Sequence, residues 1–155
     1  MSITSYKELL QFSSQIKIEN KLLSYILEDL DIVNNQPFIT KHFLFYPKGI
    51  FSEKYLDAYF FEDNDIHVIK FRKDVTSIKS VKLEQIKSVN LDIQGYKDYV
   101  LMIKLKNEED IIFDAKGDSN EHNMHSFSEN IAKIHRYIIT GKHDKPTDFS
   151  STNPW

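Results

Sequence analysis

The stretch that decides the fold runs from Val81 to Ala115: VKLEQIKSVNLDI (Val81–Ile93), a polar link, then YVLMIKLKNEEDIIFDA (Tyr99–Ala115). Val89, Leu91 and Ile93 fall two apart. So do Tyr99, Leu101, Ile103 and Leu105, and again Ile111, Phe113 and Ala115. Successive side chains of a strand point to opposite sides of its sheet, so this period marks strands with one buried face. Gln94-Gly95-Tyr96-Lys97-Asp98 and Asn107-Glu108-Glu109-Asp110 interrupt the pattern with turn-forming residues. The reading is a meander of three strands, Ile86–Ile93, Tyr99–Lys106 and Ile111–Ala115.

Upstream, β-branched and aromatic residues dominate back to Thr40, in short apolar runs. They predict four more strands. The first is Lys41–Tyr46, ended by Pro47-Lys48-Gly49. Tyr55–Phe61 and Ile66–Lys73 follow, joined by the turn Glu62–Asp65. The fourth is Thr76–Lys82, and Leu83–Gln85 forms a corner into the meander. Downstream, Met124, Phe127, Ile131, Ile134 and Ile138 recur every three or four residues, the spacing of one helix face. A helix is predicted over Asn120–Thr140, with Gly141 as its left-handed cap.

The N-terminus reads as helix. Ser5-x-x-Glu8 has the capping-box form, and Leu9, Phe12, Ile16, Leu23, Leu27 and Leu30 make one apolar stripe. The stripe weakens at Glu19-Asn20, which fits one bent helix or two short ones. Pro37 ends it, because the residue before proline is pushed out of the helical region. The expected organisation is an N-terminal helical segment (1–36), an α+β domain of about seven antiparallel strands with a C-terminal helix (37–140) and a flexible tail (141–155) ending in Trp155.

Composition narrows the function classes. The chain has 155 residues, 41% apolar and 28% charged, with only four Gly and four Pro, which excludes a collagen-like or Gly/Pro-rich disordered chain. There is no Cys, so disulfides, thiol catalysis, iron–sulfur clusters and cysteine zinc sites are all excluded. The first residues lack a basic region followed by an apolar run, and no run approaches the roughly 18 residues of a spanning helix. A cytoplasmic protein with no transmembrane segment is expected. The net charge is −3, and only Arg72 and Arg136 are arginines, so nucleic-acid recognition is not expected. Abundant Phe, Tyr, Ile, Asn and Lys reflect AT-rich codons, pointing to a bacterial source and explaining part of the low Arg and Gly counts.

Seven short strands followed by one amphipathic helix resemble the pleckstrin-homology-like fold. The resemblance covers Lys41–Ile139 and is strongest over Ser80–Ile139, which looks like the second half of a bacterial PH or GRAM-type domain. It implies a partly open antiparallel β-barrel plugged by the C-terminal helix. The N-terminal helical segment is additional to that pattern. The chain also resembles an uncharacterised family of short proteins from Bacillus-like bacteria.

The same resemblance implies a basic cluster after the first strand in members that bind phosphoinositides. Here that loop holds Lys48 and Lys54 with Glu53 between them, and a denser cluster, Lys70, Arg72 and Lys73, ends the third strand. These five are the candidate anion-binding residues. The plainer reading is a solvated strand face that discourages edge pairing. In the second strand, if Leu56, Ala58 and Phe60 point into the core, Tyr55, Tyr59 and Phe61 point out as a candidate protein-contact patch. His122 and His125, near Glu121 and Glu129, lack the i, i+4 spacing of a helical zinc motif, and no metal site and no cofactor are expected anywhere in the chain. No nucleophile elbow, phosphate loop or dinucleotide turn is present, so no catalytic residue is assigned. The expectation is a non-catalytic binding or scaffold module contacting another protein or a second copy of itself. The alternative is a peripheral membrane or phosphate-ligand module using the basic cluster.

Overall fold

The alternating run Val81–Ala115 folds as its period dictates. In the computed structural model β5 (Ile86–Gln94), β6 (Asp98–Leu105) and β7 (Ile111–Asp114) form an antiparallel sheet in the order β5-β6-β7. The structure describes residues 35–40, 43–52, 54–95 and 98–140. The expected N-terminal helical segment up to residue 34, Gly141 and the tail with Trp155 lie outside the described residues. Val89, Ile103 and Ile111 stand side by side across the sheet, as do Leu91, Leu101 and Phe113, so the alternating positions converge on one face. Lys87 interrupts the β5–β6 register as an irregularity between Ile86 and Ser88.

The four earlier strands form a second antiparallel sheet, β1 (Leu44–Lys48), β2 (Leu56–Glu62), β3 (Asp65–Phe71) and β4 (Thr76–Lys82), in sequence order. A short 3-10 turn, Leu83–Gln85, carries the chain from one sheet to the other. The architecture is therefore α+β, with sheets of four and three strands and a C-terminal helix, α2 (Met124–Thr140). Among the described residues the two sheets do not close into a barrel. No described helix is long and apolar enough to cross a membrane.

Two boundaries differ from the sequence reading for physical reasons. The first strand runs through Pro47 instead of stopping before it, with Pro47 opposite Ala58. Among the described residues β1 is an edge strand of its sheet, the place where a proline, which has no N–H to give to a ladder, is accommodated. Gly49, at φ 92°, ends the strand. The second difference is a short helix, α1 (Ala115–Asp118), before α2. The Asp114 carboxylate caps it by accepting from the backbone N–H groups of Lys116 and Gly117.

One part of the core lies between the sheets. Phe113 stacks on Tyr46 at 4.0 Å and meets Tyr59 edge-on at 4.9 Å and Phe61 at 6.0 Å. Helix α2 buries Phe127, Ile131, Ile134 and Tyr137 against this assembly, and packs on β1 and β6. Its Asn130 side chain donates to the Phe45 carbonyl, and the Tyr137 hydroxyl donates to the Asp63 carbonyl at the β2–β3 turn. These two bonds pin the helix to the first sheet at separate points.

Within the first sheet β1 and β2 are buried on both faces, whereas β4 is largely exposed, and this corrects the expected outward aromatic patch. Tyr59 and Phe61 face the second sheet and are 7% and 1% exposed. The opposite face, with Phe45, Phe60, Ile69 and Phe71, is buried too. Phe38, in the 3-10 turn Pro37–Thr40, and Phe43 fold over it, with rings 5.0 and 5.1 Å from Phe60. Tyr55 precedes β2 and is half-buried, with the Arg72 guanidinium 5.2 Å from its ring centre. Of the proposed contact patch, then, Tyr59 and Phe61 are core residues.

Candidate functional site

The register of the first sheet sets two rows of side chains. Tyr46, Tyr59, Val68 and Lys79 sit opposite one another across β1 to β4, and Lys48, Asp57, Lys70 and Ser77 form the next row on the same face. The aromatic and aliphatic members of these rows pack on the second sheet. The outer members line a cleft of about 780 Å³ between the two sheets. Its other wall comes from Leu105, the β6–β7 turn, Ile111, Ile112 and α1.

At one end of the cleft a buried carboxylate gathers three donors. The Tyr46 hydroxyl donates to Asp118 Oδ2 at 2.7 Å, and the backbone N–H of Asp114 donates to the same oxygen at 2.9 Å. Lys48 Nζ donates to Asp118 Oδ1 at 2.8 Å. Asp118 is only 8% exposed, and both its oxygens are engaged. Burial, then the charge and hydrogen bond of Asp118, push the Tyr46 hydroxyl well above its ordinary pKa, so it stays a donor. This constellation ties β1 to α1, and therefore one sheet to the other.

At the other end Lys79 of β4 pairs with Glu108 in the β6–β7 turn, spanning the two walls. Three lysines (Lys48, Lys70, Lys79) line the cleft against six carboxylates, among them Glu109 and Asp110. Glu109 and Asp110 hold no cation among the described residues. The cleft is acidic in balance, with an apolar floor of Val68, Val81, Leu105 and Ile111.

The structure disperses the five candidate cations. Lys48 is spent on Asp118, and Arg72 on Asp57 at 2.7 Å, with a second bond from Arg72 to the Phe71 carbonyl at 3.0 Å. Lys70 lines the cleft from β3, whereas Lys54 and Lys73 are exposed in loops. They do not converge on one anion site. His122, in the turn before α2, and His125, in its first turn, are exposed, and each faces a glutamate, Glu121 at 3.9 Å and Glu129 at 2.6 Å. Tyr46 and Asp118 were not singled out by sequence. Each looks ordinary in its own segment, and 72 positions separate them.

The model of one protein family matches residues 6–129, through both sheets and into α2. Its description is Protein of unknown function (DUF3908). The chain belongs to this family. The match takes in the residues of the cleft, from Lys48 to Asp118, so the site lies wholly within the family's domain. No curated protein and no solved structure matches the chain.

Proposed function

We propose that the protein is a non-catalytic binding module that holds an extended, basic segment of a partner protein in the cleft between its two sheets. The observation that carries this reading is the cleft's make-up. β4 and β7 contribute to its walls, and both are edge strands among the described residues. An edge strand offers unpaired backbone N–H and C=O groups to an added strand. The apolar floor suits alternate side chains of such a strand, and the carboxylate excess suits lysine or arginine at the others. What supports a non-catalytic role is that both oxygens of Asp118, a buried carboxylate of the cleft, accept from donors of the protein itself.

The order of four strands, three strands and a C-terminal helix is that of a pleckstrin-homology-like domain, and we take the fold as an open variant of it. A membrane or phosphate-ligand role through Lys48, Lys54, Lys70, Arg72 and Lys73 is the second reading. Exposed Lys54 and Lys73 favour it, but the ion pairs of Lys48 and Arg72 weaken it. A cytoplasmic location fits either reading.

The test uses fluorescein-labelled peptides of alternating Val and Lys, their Val/Glu counterparts, and vesicles of anionic lipid. The Val/Lys peptide is expected to bind in fluorescence anisotropy. Ile112→Asp, at an exposed edge position, should weaken it about tenfold, a loss of about 1.4 kcal/mol. Equal binding of the Val/Glu peptide would refute the reading. Pelleting with vesicles that Lys54→Glu and Lys73→Glu abolish would establish the second one.

A further inference from the structure

On the face of the first sheet opposite the cleft, the β2–β3 turn brings together three side chains of metal-binding type. Glu62 lies directly across from Asp65, and His67 is two residues beyond Asp65, so all three project from one face. One ligand atom from each lies within 4.8 Å of the other two. We propose that Glu62, Asp65 and His67 bind a divalent transition-metal ion of the zinc class.

Several features favour that ligand. The imidazole is fixed before any ion arrives. Phe38 stacks on it at 4.2 Å with the planes 7° apart, and Nδ1 is 2.7 Å from the Ser80 hydroxyl. That leaves Nε2 facing Glu62. A hydrogen-bonded partner on the second ring nitrogen is the usual support of a ligating histidine. Nε2 stands 3.4 Å from Glu62 Oε2, long for a hydrogen bond. Two donors each about 2.0–2.1 Å from a tetrahedral zinc stand about 3.3 Å apart, so the separation fits a shared ion.

Glu62 is 5% exposed, so an ion there is held in a site partly shielded from water. Asp65 is paired with Lys82 at 3.1 Å, but the lysine side chain is 65% exposed and an exposed pair of this kind yields readily to a metal. An imidazole ligand selects against calcium and magnesium, which take oxygen ligands. The sequence hid this group because its members are joined by a hairpin register and match no helical motif.

The experiment is titration of the full, tag-free chain with zinc chloride by calorimetry. Cobalt(II) absorbance reports the coordination, and thermal unfolding is followed with and without zinc. One ion should bind, and zinc should raise the Tm. Asp65→Asn and His67→Gln should each weaken binding by about tenfold or more and remove the Tm rise, while circular dichroism shows the same fold. The double variant His122→Ala, His125→Ala should bind as the wild type does. No uptake by the wild type, undiminished uptake by Asp65→Asn and His67→Gln, or loss in the double helix variant would each overturn the proposal.

Discussion

Asp118 carries more of the structure than any other polar residue of the cleft. It accepts from the Tyr46 hydroxyl, the Lys48 ammonium and the Asp114 backbone, and so joins β1 to the segment after β7. Asp118→Asn keeps the shape but replaces one acceptor oxygen with a donor that meets N–H and O–H groups. The expected loss is about 2–3 kcal/mol, below the full figure for breaking a buried pair because Lys48 is partly exposed. Urea unfolding at pH 7 measures it. Tyr46 gives the same contact a pH signature. Its hydroxyl has an ordinary value of 10.0 and is raised in the fold, first by burial and then by Asp118. Tyr59 and Tyr137 are raised too, each mainly by burial. A phenol raised in the folded state holds its proton there after the unfolded chain has released its own. The stabilisation is therefore complete below about pH 10 and is lost as the pH climbs through and above that value. Unfolding midpoints from pH 8 to 11 should fall at the alkaline end, and Tyr46→Phe should flatten the fall.

At the scale of elements, the strands of the meander were legible because alternation is a local signal. Leu101, Ile103 and Leu105 announce their common face within five residues. β4 and the corner after it, Leu83–Gln85, were placed correctly by composition alone. β2 was half legible. Its apolar run gave a strand, but the assumption of one wet face put Tyr59 and Phe61 outside. A strand buried on both sides has no period to read, and only the packing of Phe38 and Phe43 shows that the second side is covered. The Asp118 site and the Glu62–His67 group were illegible because each depends on contacts made by folding. Turns follow local rules again. A Cβ at Gly49 would lie 2.6 Å from the Tyr55 ring and 2.8 Å from the Tyr55 carbonyl, at φ 92°. A Cβ at Gly95, φ 50°, would meet nothing. Gly95→Ala should cost about 1–2 kcal/mol, the left-handed penalty alone. Gly49→Ala should cost more, because backbone must also move, and denaturant midpoints of the two variants compare them directly.

At the scale of the whole molecule, the described residues form two sheets joined at one end, with a cleft between them at the other. Phe113, α2 and the Tyr46–Asp118–Lys48 contact close the joined end. The cleft remains between β4 and the β6–β7 region, crossed by the Lys79–Glu108 pair. An exposed pair of this kind contributes little to stability, so opening it to admit a strand is inexpensive. The two edge strands, the apolar floor and the excess of carboxylates belong to one surface, and the function proposed rests on that coincidence. Amide hydrogen exchange of the full chain, with and without the Val/Lys peptide, tests it most directly. The account predicts new protection confined to β4 or β7, Thr76–Lys82 or Ile111–Asp114, and none with the Val/Glu peptide. Protection elsewhere, or none with saturating Val/Lys peptide, would contradict it.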